Sequence, residues 1–151
     1  MANTQAMCTS FKGELLVGHH NFGTGVTRGS TAADTFKAAL YLASATVNAT
    51  TTAYSATNEV SGTGYTAGGV TVTFGTAPST SGTTAFVTPS ASIAFTTVTL
   101  STAFDAVLIY NSTQSNKAVS VHTFGSQTVT AGTFTLTMPV NGASTGLIRI
   151  A

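Results

Sequence analysis

The stretch Thr133-Phe134-Thr135-Leu136-Thr137-Met138 alternates threonine with large apolar residues, and Gly69-Val70-Thr71-Val72-Thr73-Phe74 does the same. Successive side chains of a strand point to opposite faces, so each stretch places its apolar groups on one face. The segment from Lys117 to Phe124 continues this pattern. A slip of one residue would turn each apolar set toward solvent. We therefore expect the following residues to face a core: Val70, Val72, Phe74, Phe134, Leu136 and Met138.

β-Branched and aromatic residues dominate most of the rest of the chain, with Gly, Ser, Asn or Pro between the runs. Further strand candidates are Thr35 to Ala43, Thr84 to Thr88, Ser92 to Leu100, Ala103 to Tyr110 and Leu147 to Ile150. About eight short strands without alternating helices predict an all-β fold, a single antiparallel β-sandwich of jelly-roll-like type.

The N-terminal part is predicted to differ from the rest. Residues 1–33 form an arm and linker, with a short helix near Ser10 to Val17 that Ser10 could cap, although Gly13 weakens this prediction. Residues 34–151 form the sandwich domain. Residues 75–84, rich in Ser, Thr and Gly, are expected to be a mobile surface loop.

A glycine block interrupts the strand pattern between Ser61 and Gly69. Its members are Gly62, Gly64, Gly68 and Gly69. Glycine tolerates positive φ and close backbone approach. The block is therefore predicted to be a structured loop with at least one positive φ among Gly64, Gly68 and Gly69.

Charge is scarce in this chain. Charged residues make up 6% of 151 residues, against about 25% in ordinary soluble domains. Such a surface suits protein contacts, because interface cores are depleted in charge. The basic residues, which are Lys12, Arg28, Lys37, Lys117 and Arg149, are scattered, whereas nucleic-acid binding needs a basic patch. We expect no nucleic acid as partner.

The sequence contains neither a secretory signal pattern nor an apolar run long enough for a membrane span, so no membrane association is expected. The single cysteine, Cys8, excludes an internal disulfide and fits folding in a reducing cytoplasm.

Candidate chemistry is equally sparse. The acidic residues Glu14, Asp34, Glu59 and Asp105 are far apart in sequence, and no pattern pairs two of them for catalysis. Asp34 is expected to cap or turn before a strand, and Glu59 to hydrogen-bond backbone groups in its loop. Adjacent His19 and His20 do not share a face of a strand or helix, so a surface or interface role is favoured over metal binding. We expect no enzyme activity, catalytic residue, cofactor or metal.

Several blocks resemble a family of small virion proteins of tailed bacteriophages. They cover nearly the whole chain and are Phe11 to Leu16, Gly18 to Phe22, Asp34 to Tyr41, Thr52 to Gly69, Leu108 to Thr113, Asn116 to Val119, Phe124-Gly125, Thr130 to Leu136, Pro139 and Leu147 to Ile150. The block from Thr52 to Gly69 is the most specific. Between Thr88 and Thr102 the chain departs from the pattern, since Pro89 to Val98 replace an acidic, tryptophan-containing stretch.

The resemblance implies a virion structural protein. The leading hypothesis is a capsid cement or decoration protein on the capsid surface, assembled in the host cytoplasm. Its expected partners are the major capsid protein and further copies of itself, either as a homo-oligomer or as neighbouring copies on the shell. The alternative is a tail or fibre module that binds a host surface receptor. Interface candidates are Phe11, Leu15, Leu16, His19 and His20; alternatively, this N-terminal segment closes one end of its own sandwich.

Overall fold

The computed structural model describes residues 3–8, 11, 15, 19–24 and 33–150. These form eight strands: β1 (Ala6–Met7), β2 (Phe36–Leu42), β3 (Val70–Val72), β4 (Ser79–Ser81), β5 (Thr84–Val87), β6 (Ile93–Asn111), β7 (Lys117–Leu136) and β8 (Ile148–Ile150). One sheet has the order β1-β7-β6-β2-β3 and the other β4-β5-β8, and all pairings are antiparallel. The prediction of an all-β antiparallel sandwich of about eight strands is confirmed.

A long hairpin of β6 and β7 supplies parts of two layers. The ring centroids of Phe124 and Phe134 lie 5.0 Å apart although both rings belong to β7. Ten residues of straight strand would span about 33 Å, so β7 must turn back on itself. The paired strand β6 changes register at four points between Phe95 and Ala106, and such bulges allow a strand to bend. The hairpin is therefore folded over, with its second half packed against its first.

This continuity corrects the predicted strand ends. Ser92 to Leu100 and Ala103 to Tyr110 were expected as separate strands, but both belong to β6. The residues between them belong to an irregular part of the β6–β7 ladder and do not form a turn. Bulges allow the strand to bend there while its pairing with β7 continues.

The centre of the larger sheet is covered on both sides. Every residue from Ala106 to Asn111 is buried. A strand with two covered faces is apolar on both, which explains the run Ala-Val-Leu-Ile-Tyr without alternation. On one side Phe22 stacks on Phe36 with centroids 4.8 Å apart, and Phe74 packs edge-on against both rings. On the other side Tyr54 stacks on Tyr110 at 4.7 Å.

The predicted core faces have the right direction but different depths. Val72 and Phe74 are buried and Val70 is half-buried, with Thr71 and Thr73 exposed between them. Phe134, Leu136 and Met138 are only half-buried and pack against the core from its margin. Alternation fixes which face an apolar side chain takes, whereas the covering layer fixes how deeply it is buried.

Two further expectations concern local segments. Of the expected helix from Ser10 to Val17, the structure describes Phe11 and Leu15 alone, so this prediction lies outside the described residues. The expected mobile loop 75–84 contains β4, which pairs with β5 through a two-residue turn. Gly82 opens that turn with a φ of +56°, a conformation that favours tight hairpins.

Candidate functional sites

All four tyrosines of the chain gather around Glu59 on one side of the larger sheet. The hydroxyl of Tyr54 donates to Oε2 of Glu59 at 2.7 Å, and the hydroxyl of Tyr65 donates to Oε1 at 2.7 Å. The backbone N–H of Gly68 also donates to Oε1, at 2.8 Å. The predicted bonding of Glu59 to its own loop is confirmed. Both carboxylate oxygens have partners within the chain, so the arrangement serves as an anchor.

The remaining two tyrosines tie the same loop to the strands beneath it. The hydroxyl of Tyr41, on β2, donates to the carbonyl of Ser55 at 2.6 Å. The hydroxyl of Tyr110, on β6, donates to the carbonyl of Gly68 at 2.7 Å. We call Tyr41, Tyr54, Tyr65, Tyr110 and Glu59 the tyrosine cluster. It holds residues 52–69 against the sheet at several points.

Burial keeps these tyrosines protonated. It raises the pKa of Tyr41 to about 12, although the backbone N–H of Ser55, which donates to this hydroxyl at 3.3 Å, acts in the opposite direction. Burial, followed by the hydrogen bond to Glu59, raises the pKa of Tyr54 and of Tyr65 well above the usual range. Burial also raises the pKa of Tyr110. A phenol with a raised pKa is a hydrogen-bond donor and a poor nucleophile or base near neutral pH.

The glycine block is held between this cluster and the neighbouring strands. Gly64, Gly68 and Gly69 have φ values of +77°, +87° and +72°, which confirms the predicted positive φ. A Cβ atom on Gly69 would overlap the carbonyl of Ala38, and one on Gly64 the carbonyl of Thr97. A Cβ atom on Gly62 would overlap the carbonyl of Thr99. The block is a tightly packed loop, as expected.

A second polar network lies on the opposite side of the sheet. The side-chain oxygen of Asn111 accepts from the backbone N–H groups of Thr113 and Gln114, so its amide nitrogen points the other way. That nitrogen donates to Oδ2 of Asp34 at 2.7 Å and lies 3.2 Å from Nδ1 of His20. An amide nitrogen donates and does not accept, so Nδ1 of His20 is the acceptor in this contact. The network joins the N-terminal segment to the end of β6.

The described carboxylates occupy three separate places. Asp34 bonds to Asn111, Glu59 to two tyrosines, and Asp105 accepts from the side chain of Asn3. Among the described residues, no three of His, Cys, Asp and Glu gather as a metal site would require. Nothing in these positions pairs two carboxylates for acid–base chemistry.

His122 has an environment of its own on β7. Its Nε2 lies 2.9 Å from the hydroxyl of Ser120. Burial lowers the pKa of the imidazole to about 4, because desolvation penalises the charged form. His122 is therefore neutral at physiological pH.

The interface candidates of the N-terminal segment differ in location. Phe11 and His20 are buried and meet edge-on, with centroids 4.7 Å apart, so both side chains are used within their own chain. His19 and Leu15 are half-buried, and Leu15 lines an open apolar cavity of about 200 Å³. Leu16 lies outside the described residues. Phe11 and His20 thus make contacts within their own chain, and the interface role of the N-terminal segment stays a prediction.

The exposed residues of the β6–β7 hairpin are neutral and rich in threonine. No Asp, Glu, Lys or Arg occurs from Ala118 to Ile148. The exposed side chains of the second half of the hairpin include Thr96, Thr128, Thr130, Thr133 and Thr135. Among the described residues, the exposed large hydrophobic side chains are Val140 and Ile150.

Three comparisons, with family models, with curated proteins and with solved structures, found no match for this chain. In the part of the chain that the structure describes, no helix has the length and apolarity needed to cross a membrane.

Sequence reasoning missed the tyrosine cluster and the role of Asn111. The signal for the cluster was weak: a single carboxylate within a segment that also holds two of the four tyrosines. No sequence pattern indicated the role of Asn111, which is fully buried at the end of β6.

Proposed function

We propose that this chain is a structural protein of a tailed-bacteriophage virion, a capsid cement or decoration protein that binds the major capsid protein at the capsid surface. It acts without catalysis or cofactor and is assembled in the bacterial cytoplasm. The observation that carries the proposal is the neutral, threonine-rich surface of the β6–β7 hairpin. The resemblance of most of the chain to small phage virion proteins supports the same conclusion.

Surface chemistry supports a permanent contact with protein. Charged groups are depleted at the centre of protein interfaces, and the span from Ala118 to Ile148 has no Asp, Glu, Lys or Arg. Contacts made by apolar burial and neutral hydrogen bonds are screened little by ions. Binding to the capsid is therefore expected to survive high salt.

Internal anchoring supports a role in resisting mechanical load. The tyrosine cluster fixes a long loop to the sheet, and the Asp34–Asn111 network fixes the N-terminal segment to the strand end. A rigid module loses little conformational entropy when it binds. Many such contacts repeated over a shell add through avidity.

The test is the copy number and location of the chain in purified particles, measured by quantitative mass spectrometry against the major capsid protein. A cement protein is expected in hundreds of copies on the shell. A few copies at the tail would instead support the receptor-binding alternative, and absence from particles would refute both.

Particles that lack the chain provide the functional arm of this test. They are expected to assemble but to release DNA at a lower temperature than complete particles, because each bound copy favours the closed shell by mass action. Adding back purified chain should restore the release temperature. Equal release temperatures with and without the chain would contradict a cement role.

A further inference from the structure

The second half of β7 forms an open edge of the larger sheet. On its outer side β7 pairs with β1 only opposite Ser120 and Val121, whereas β6 continues along its inner side as far as Leu136. Among the described residues, no other strand pairs with β7 beyond Val121. Residues 125–128 are all exposed. About a dozen residues of β7 therefore form an edge of the sheet on which no described strand pairs.

Such an edge is a template for another strand, because its outward N–H and C=O groups have no ladder partner. Natural proteins blunt exposed edges with charged residues, proline or β-bulges, and of these three features residues 125–136 contain bulges alone. The ladder with β6 shifts register at several points along this edge, and within residues 128–135 β7 has a bulge at Ala131, whose φ is +45° and whose N–H donates to Oγ1 of Thr99. Extended strand lies on both sides of that bulge.

The sequence around the bulge has the same pattern in both directions. Residues 128–135 are Thr-Val-Thr-Ala-Gly-Thr-Phe-Thr. The four threonines are exposed, and Val129 and Phe134 are half-buried on the inner face. Reversing the order exchanges threonine for threonine, Val129 for Phe134 and Ala131 for Gly132. When the segment is read in the opposite direction, threonines still occupy the exposed face and apolar residues still occupy the inner face.

We propose that two copies of the chain pair antiparallel along this edge, around a twofold axis between Ala131 and Gly132. Thr128 then lies opposite Thr135 of the second copy, and Thr130 opposite Thr133. Both copies present their threonines on the same side of the joined sheet, and Thr–Thr pairs across antiparallel strands are favourable. The smallest residues, Ala131 and Gly132, and the bulges of both copies then lie at the axis.

A second copy fits this edge better than a partner selected by charge. The edge has no Asp, Glu, Lys or Arg for such a partner to recognise, and for the same reason two identical edges do not repel each other. A twofold contact also requires a surface that is complementary to itself, and the reversible pattern supplies one. The pairing is a property of the chain in solution and does not depend on the proposed capsid role.

The test is analytical ultracentrifugation of the full chain over a series from micromolar to millimolar concentration. The wild-type chain is expected to form dimers. The double variant Thr130→Lys/Thr133→Lys places lysine opposite lysine twice in each dimer and is expected to raise the dissociation constant about tenfold or more. Equal mixing with Thr130→Glu/Thr133→Glu is expected to restore dimers.

The matched control is Thr52→Lys/Thr57→Lys, which adds the same charge at exposed positions outside β7. It should leave the dissociation constant unchanged. A monomeric wild-type chain at every concentration would overturn the proposal, as would open filaments or a dimer that both lysine variants leave equally stable.

Hydrogen exchange of the wild-type chain provides a second measurement that needs no variant to fold. Outward amides between Thr128 and Thr135 should exchange more slowly as the concentration of chain rises. Exchange that is independent of concentration in a sample that contains dimers would place the contact elsewhere and refute this edge.

Discussion

Replacing Glu59 with alanine should destabilise the fold strongly even though the side chain lies near the surface. The change removes the acceptor for three donors: the hydroxyls of Tyr54 and Tyr65 and the N–H of Gly68. Hydrogen bonds to charged groups contribute about 1.5 to 3 kcal/mol each when buried. Glu59 is partly accessible to water. About 1 kcal/mol per bond is therefore appropriate, and we expect a total loss of about 3 kcal/mol.

Urea denaturation followed by circular dichroism measures this loss, with the m value checked for constancy. Glu59→Gln should cost less than alanine, because the amide keeps one acceptor oxygen. The matched control is Thr57→Ala in the same loop, which should change the free energy of unfolding by less than about 0.5 kcal/mol. A cost below about 1 kcal/mol for Glu59→Ala would show that the cluster does not anchor the loop.

Three other predictions concern pH, backbone and core. The fold lowers the pKa of His122 from 6.5 to about 4, so the free energy of unfolding is highest above pH 6.5 and decreases by up to about 3 kcal/mol as the pH falls toward 4. His122→Gln should flatten this part of a plot of unfolding free energy against pH. A curve that the variant leaves unchanged would contradict the prediction. Gly69→Val should abolish soluble folded protein, because the positive φ disfavours valine and its Cβ would overlap the carbonyl of Ala38. The control Gly125→Val has no atom within 4 Å of its Cβ position and should fold with a melting temperature near that of the wild type. Phe104→Ala should lower the free energy of unfolding by about 3 to 5 kcal/mol and Phe134→Ala by clearly less, because the ring of Phe104 is fully buried and that of Phe134 is half-buried. A larger loss for Phe134→Ala in urea denaturation would refute these burial depths.

Local features of this chain were predictable because their causes are local. Alternation in residues 69–74 and 133–138 fixes which face each side chain takes, and this held for Val72, Phe74 and Phe134. Positive φ in the glycine block follows from the one residue type that tolerates it, together with four such residues in a short span. The all-β class follows from the same periodicity repeated along the chain.

The tertiary structure decided everything that depends on distant segments meeting. Tyr110 bonds to a loop 42 positions away, and Asn111 to an aspartate 77 positions away. The alternation of a strand does not encode such distances, since it repeats every two residues wherever the strand lies. The number of glutamates and tyrosines in the sequence likewise does not indicate that they share one site.

The fold-over of the β6–β7 hairpin has the same origin. Sequence alternation defines an inner and an outer face for each half of β7, but the bulges that bring Phe134 within 5.0 Å of Phe124 arise where two strands of unequal local length must pair. By itself the sequence determined an antiparallel all-β chain, the facing of its strands and the place of its tight loop. The three-dimensional packing decided which layers cover Phe11 and Phe134, and it gathered Glu59 with the tyrosines, because burial is set by the segment that lies above a face and not by the residues along it.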